Sequence, residues 1–266
     1  MAGNVFAAIV SNNLYITGDS NANSVDVTSR YGTVYISGQH TGGLLGNTTV
    51  NGRSEVSIGN FRGNISVRLG SGDDRFQLYR VEDRAFQNIN VDMGNGWEEH
   101  VNLASAHFTG NVSINSNGSV RNSVSMGHGS VAGDARIDTG SGNDWIVVSS
   151  SVGRNLTINT NGNYLTGLDI VNVGPAGGGD VNGRLKIGGR FTLNTGNGND
   201  EVNLDNLDVD ALFANLGADN DTFSAYKVAV KRSVAVDGGT GFDRYATRES
   251  SGNVFRGLQS FEGPTW

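Results

Sequence analysis

The chain contains no cysteine. That excludes a disulfide scaffold and any thiolate metal site. Proline is nearly absent, with 2 residues in 266, and glycine does not fall at every third position, so a collagen-type helix is excluded. Charge is sparse as well: 17% of residues are charged and the net charge is -7. No cluster of Lys and Arg offers a phosphate footprint, so nucleic acid is not an expected partner. No apolar run approaches the roughly 18 residues that would span a membrane as a helix. The start, Met1-Ala2-Gly3-Asn4, shows neither a basic segment nor a long apolar one, so no signal peptide is visible. A sustained 3.6-residue apolar period is missing too, and helices are therefore expected to be few.

What the sequence does contain is glycine, 40 residues of it, set between short alternations of Val, Ile and Leu that argue against disorder. One phrase recurs: an alternation, then Asn or Asp, a Gly-rich turn, an acid, and a second alternation. It reads Val67-Arg68-Leu69-Gly70-Ser71-Gly72-Asp73-Asp74-Arg75-Phe76-Gln77-Leu78. It returns as Ile137-Asp138-Thr139-Gly140-Ser141-Gly142-Asn143-Asp144-Trp145-Ile146 and as Leu193-Asn194-Thr195-Gly196-Asn197-Gly198-Asn199-Asp200-Glu201-Val202. The residue before each turn sets a register through Arg68, Asp92, Asn115, Asp138, Asn159, Asn194, Asn215 and Asp237, in steps of 24, 23, 23, 21, 35, 21 and 22. The long step contains Gly174-Pro175-Ala176-Gly177-Gly178-Gly179-Asp180, which reads as a loop insertion over 174–190.

Within each unit the apolar residues alternate with period two, as in strands (Phe76 and Leu78; Ile146 and Val148; Val202 and Leu204). A third anchor follows: Val81, Phe108, Val131, Val152, Val209 and Val228. A unit of this size cannot bury an apolar face alone, but stacked units can, each strand pairing in parallel with its equivalent about 4.8 Å away. The expected fold is all-β: a right-handed parallel β-helix (β-solenoid) of about ten coils, each of about 22 residues. Gly supplies the left-handed turn conformations at little steric cost. The Asn/Asp column before each turn should form a side-chain ladder. Residues 1–62 repeat less cleanly and read as an N-terminal cap with the first coils, 63–250 as regular coils, and 251–266 as a C-terminal cap.

The turns resemble the haemolysin-type (RTX) calcium repeat, most closely in Gly238-Gly239-Thr240-Gly241-Phe242-Asp243-Arg244-Tyr245. Over residues 14–262 the chain is similar to Gly/Asn/Asp-rich repeat proteins of bacterial surfaces. The resemblance implies calcium, held by the hard oxygens of Asp74, Asp144, Asp200, Asp221 and Asp243. It departs from the haemolysin-type pattern in carrying the motif once per coil instead of in tandem nine-residue units. The alternative reading is that each Asp bonds the N–H groups of its own turn.

Many parallel β-helices act on polysaccharides. Three fragments superficially match polygalacturonases: Asp73-Asp74, Gly127-His128-Gly129-Ser130 and Arg184-Leu185-Lys186. A glycosidase needs paired carboxylates close together, whereas these fragments fall more than two coils apart from one another. The expectation is therefore a non-enzymatic structural protein, secreted or at the cell surface: a filament, surface-layer or adhesin-type subunit. Its expected partners are copies of itself, end to end or laterally, and cell-surface polysaccharide. The alternative is a carbohydrate-binding or polysaccharide-cleaving β-helix, recognisable by a groove of aromatics and carboxylates on adjacent coils, expected beside the insertion.

Overall fold

A computed structural model describes residues 3–39, 47–81, 84–118, 120–162, 167–175, 183–252, 258–261 and 263–264. Strands wind as a parallel β-solenoid with a spacing of about 23 residues and about seven turns, fewer than the ten expected. The described residues contain no helix, as the missing 3.6-residue period implies.

Each coil has three faces. The first is built by Ile65–Arg68, Ile89–Asp92, Val112–Asn115, Ala135–Asp138 and Leu156–Gly162. The second runs through Arg75–Leu78, Glu98–Ala104, Arg121–Gly127, Asn143–Val148, Ile170–Val173, Glu201–Asp205, Thr222–Tyr226 and Arg244–Arg248. The third is short: Ala85–Phe86, His107–Phe108, Ser130–Val131 and Ser151–Val152. Beyond the insertion the third and first faces merge into the long strands Leu185–Asn197, Leu207–Ala218 and Ala229–Asp237. Every strand of the three faces pairs in parallel with its equivalents in the neighbouring coils. Leu156 pairs with Phe191 across the 35-residue step, so the insertion leaves the register intact. Its residues 176–182 lie outside the described residues.

The column before the turn forms as expected. Asp92, Asn115, Asp138, Asn159, Asn194, Asn215 and Asp237 stack in register. Asn159 donates Nδ2–H to Asp138 at 2.6 Å, and Asn194 donates to Asn159 at 2.7 Å. A second amide ladder, which the repeat phrase does not contain, runs through Asn13, Asn64 and Asn88, with links of 2.8 and 2.7 Å. Glycine is required where turns stack: a Cβ on Gly217 would run into the carbonyl oxygen of Gly196, and one on Gly239 into that of Gly217.

Two expectations are corrected. The anchor on the third face is Phe86, not Val81, because Phe86 pairs with Phe108; Val81 is buried in the bend that precedes it. Likewise Val230, not Val228, pairs with Val209. At the start of the chain strands pair both parallel and antiparallel. Asn13–Thr17 and Ser24–Arg30 lie parallel on the first regular coil, but Asn4–Val10 and Thr33–Gly38 fold back on them antiparallel, and Glu55–Gly59 adds antiparallel to the latter. Hairpins therefore take the place of coils at this end. At the other end Phe261 meets Tyr245 edge-on, with ring centroids 5.7 Å apart. Residues 253–257, 262 and 265–266 of the expected C-terminal cap lie outside the described residues.

Phe61, Phe86 and Phe108 stack along the axis at centroid distances of 5.3 and 6.3 Å. Because the ring above and the ring below are both fixed by the ladder, a vacated place cannot collapse. Phe86→Ala is expected to cost about 3–5 kcal/mol, read as a lower urea midpoint at unchanged slope.

Candidate functional site

Where the first face turns into the second, an acid or an asparagine stands two residues before the first inward apolar or aromatic side chain of each strand. All five Asp residues singled out in the sequence come to this place. Asp74, Asp144, Asp200, Asp221 and Asp243 form one buried column. The column also contains Glu99 and Asp169, with Asn23 and Asn122 completing it. The turn motif missed Glu99 because its turn, Gly94-Asn95-Gly96, is followed by one residue more and by Glu in place of Asp, and it missed Asp169 because the stretch before it contains no Gly-x-Gly. The spacing acid-x-apolar-x-apolar, read into Glu99-x-Val101 and Asp169-x-Val171, carries the signal.

The carboxylates bond chiefly across coils, although Asp144 also accepts Thr139 Oγ1–H from its own turn at 2.5 Å. Each accepts a backbone N–H from the equivalent residue one coil before. Asn23 donates to Asp74 at 2.6 Å, Asp74 to Glu99 at 3.2 Å and Asn122 to Asp144 at 3.1 Å. Asp144 donates to Asp169 at 2.8 Å, Asp169 to Asp200 at 3.0 Å, Asp200 to Asp221 at 2.8 Å and Asp221 to Asp243 at 2.8 Å. One oxygen of each acid is thereby used. The other oxygen of Asp74, Glu99, Asp169, Asp200 and Asp221 is buried with no partner that donates to it.

Burial disfavours the charged form, and acids stacked a coil apart disfavour it further. Burial pushes Asp74, Asp144 and Asp200 up to about 7, Asp169 to about 6, Asp221 to about 8 and Glu99, with Asp74 beside it, to about 9. Two buried hydroxyls agree with neutral acids, while a third, Thr139, donates to Asp144. Thr160 and Thr195 spend their protons on the carbonyl oxygens of Thr195 and Leu216. Towards Asp169 and Asp200 they can then only accept, as from a protonated carboxyl.

Calcium takes six to eight oxygen ligands. Asp74, Glu99, Asp169, Asp200 and Asp221 each have one uncommitted oxygen, successive acids lie a coil apart, and among the described residues no three His, Asp or Glu side chains form a group that could hold a metal. This arrangement is a ladder, and it does not fit a calcium cage.

The polygalacturonase-like fragments are kept apart. Asp73 and Asp74 begin the second face, whereas His128 sits at its far end, two coils on, as the left-handed bend residue (φ 54°) that Arg80, Ser105 and Lys227 provide in other coils. Arg184 is held by Asp208 at 2.6 Å and by the carbonyl oxygens of Leu207 and Lys227.

Beside the acid column the second face opens into a groove of about 670 Å³. Its two outward columns follow from the register. One is Asp73, Glu98, Arg121, Asn143 and Leu168. The other is Arg75, His100, Ser123, Trp145 and Ile170. Burial and the nearby Arg75 hold the His100 imidazole below its usual range. The groove lies across the coils that precede the insertion.

The raised acid values fix a sign for stability. The folded chain keeps protons that the unfolded chain, with acids near 4, releases. This contribution is fully present below about pH 4 and is lost as pH rises through about 6 to 9. Thermal melts followed by circular dichroism should fall from pH 5 to pH 9, by roughly 10 °C if a few kcal/mol are lost. Glu99→Gln, which mimics the protonated acid, should raise the midpoint at pH 9 and leave it nearly unchanged at pH 5. An equal loss at both would refute the neutral ladder.

No family model, no curated protein and no solved structure matches the chain.

Proposed function

We propose that the chain is a non-catalytic structural segment of a secreted or cell-surface protein, a stiff rod of the stalk, surface-layer or adhesin type. The observation that carries this reading is the continuity of the ladders. Two amide columns and one acid column run along the axis, and each rung satisfies backbone or side-chain groups of the next. Such a column resists bending and local opening, because one coil cannot move without breaking bonds to two others.

The reading also bears on assembly. A filament growing by strand addition needs an open sheet edge. At the N-terminal end the second face finishes in Glu55–Gly59, an antiparallel strand with a register shift. Its Glu55 carries an ion pair to Arg30 at 2.6 Å. Charge and irregularity of this kind blunt an edge, which supports a rod that stands singly at this end over one that stacks.

Light scattering coupled to size exclusion tests the proposal. An elongated monomer, unchanged by millimolar calcium or by a chelator, is expected. Growth in size without calcium would replace the single rod with a filament subunit. Growth or a higher melting temperature only with calcium would restore the metal that the repeat resemblance implies.

A further inference from the structure

The groove on the second face is unused by the structural role, and its chemistry is specific. Trp145 stands in it 54% exposed. The side chains in register on either side are Ser123 and Ile170. Ser123 is small, so on that side nothing bulky stands against the indole ring. A large aromatic held this open on a rigid strand is a platform that an apolar ring face can cover.

The polar groups around it narrow the ligand. Asp73 and Glu98 carry negative charge, Arg75 and Arg121 positive charge, and Arg121 lies 3.8 Å from Glu98. These outward charges balance, and Asp74, Glu99 and Asp144 of the acid column also line the groove, which disfavours an anionic ligand. His100, Ser123 and Asn143 add donors and acceptors that suit hydroxyls. Alongside runs a further outward column of Gln77, Asn102, Ser125, Val147, Asn172 and Asn203, polar except at Val147, in which Asn203 donates to Asn172 at 3.1 Å. The groove follows the axis over several coils, which suits a linear polymer presenting the same groups at regular steps.

We propose that this groove binds a neutral, hydroxyl-rich glycan chain laid along the solenoid axis, with one pyranose ring stacked on Trp145. A pyranose has the required two-sided character: an apolar face of C–H groups for the indole, and a rim of hydroxyls for His100, Arg75, Ser123 and Asn143. Charged glycans would leave one of the paired Arg or acid groups opposed to like charge. The site goes beyond the structural reading, and its failure would leave the rod intact.

A printed array of neutral and uronate-containing glycans, probed with the purified chain, tests this, followed by tryptophan-fluorescence titration with a neutral oligosaccharide that the array retains. Saturable binding of neutral glycans is expected. Trp145→Ala should weaken it at least about tenfold with an unchanged circular dichroism spectrum. Trp97→Ala is the control: Trp97 is 71% exposed and does not line the groove, so binding should persist. Retention of no neutral glycan, binding confined to uronates, or equal loss in both variants would overturn the proposal.

Discussion

Everything in this fold depends on parallel stacking in strict register at one strand spacing, about 4.8 Å. Backbone hydrogen bonds between coils fix that spacing, and a residue therefore meets its own equivalent above and below. Like meets like all along the axis: Phe on Phe in the core, Asn on Asn outside, Gly on Gly at the turns, acid on acid at the corner. Each column must contain a residue type that tolerates its own kind as a neighbour. This is why amides and glycines dominate the chain and why lysine and arginine are few.

The acid column is the severe test of that constraint. Ionised carboxylates a coil apart and out of water would repel one another at several-fold the strength they have in solvent. Two devices relieve this. Each acid receives a backbone N–H from the coil before, which places a donor against one oxygen. Burial then shifts the proton equilibrium, so that at neutral pH most of these groups stand near or below half ionisation. Asn23 and Asn122 interrupt the column with side chains of nearly the same shape and no charge. The column therefore works as a hydrogen-bonded seam, and its cost grows with pH.

The groove arises from the same register seen from outside. Alternation along a strand sends Asp74, Glu99 and Asp144 inward and their neighbours Arg75, His100 and Trp145 outward. A buried polar seam and an exposed mixed face thus come from adjacent residues of one strand.

Much of this was legible in the sequence. The roughly 22-residue period, the period-two alternation, the glycine turns and the Asn/Asp column each follow from local spacing, because a solenoid converts sequence periodicity directly into spatial neighbours. The five Asp residues were found for the same reason. What the spacing left out depended on tertiary facts. Glu99 and Asp169 follow weaker copies of the turn phrase but share the corner, since position along the strand, not motif, decides which side chain points inward. Phe86 displaced Val81 because the path through the bend sets which residue meets Phe108. The N-terminal hairpins were missed because antiparallel pairing of Asn4–Val10 with Asn13–Thr17 and of Ser24–Arg30 with Thr33–Gly38 leaves no repeat in the spacing. The amino-acid sequence by itself determined the repeat, the strand pattern and the stacking. Only the tertiary structure decided whom each carboxylate bonds, which proton balance follows from its burial, and which outward side chains gather into a groove, because these depend on distances between coils that no single repeat contains.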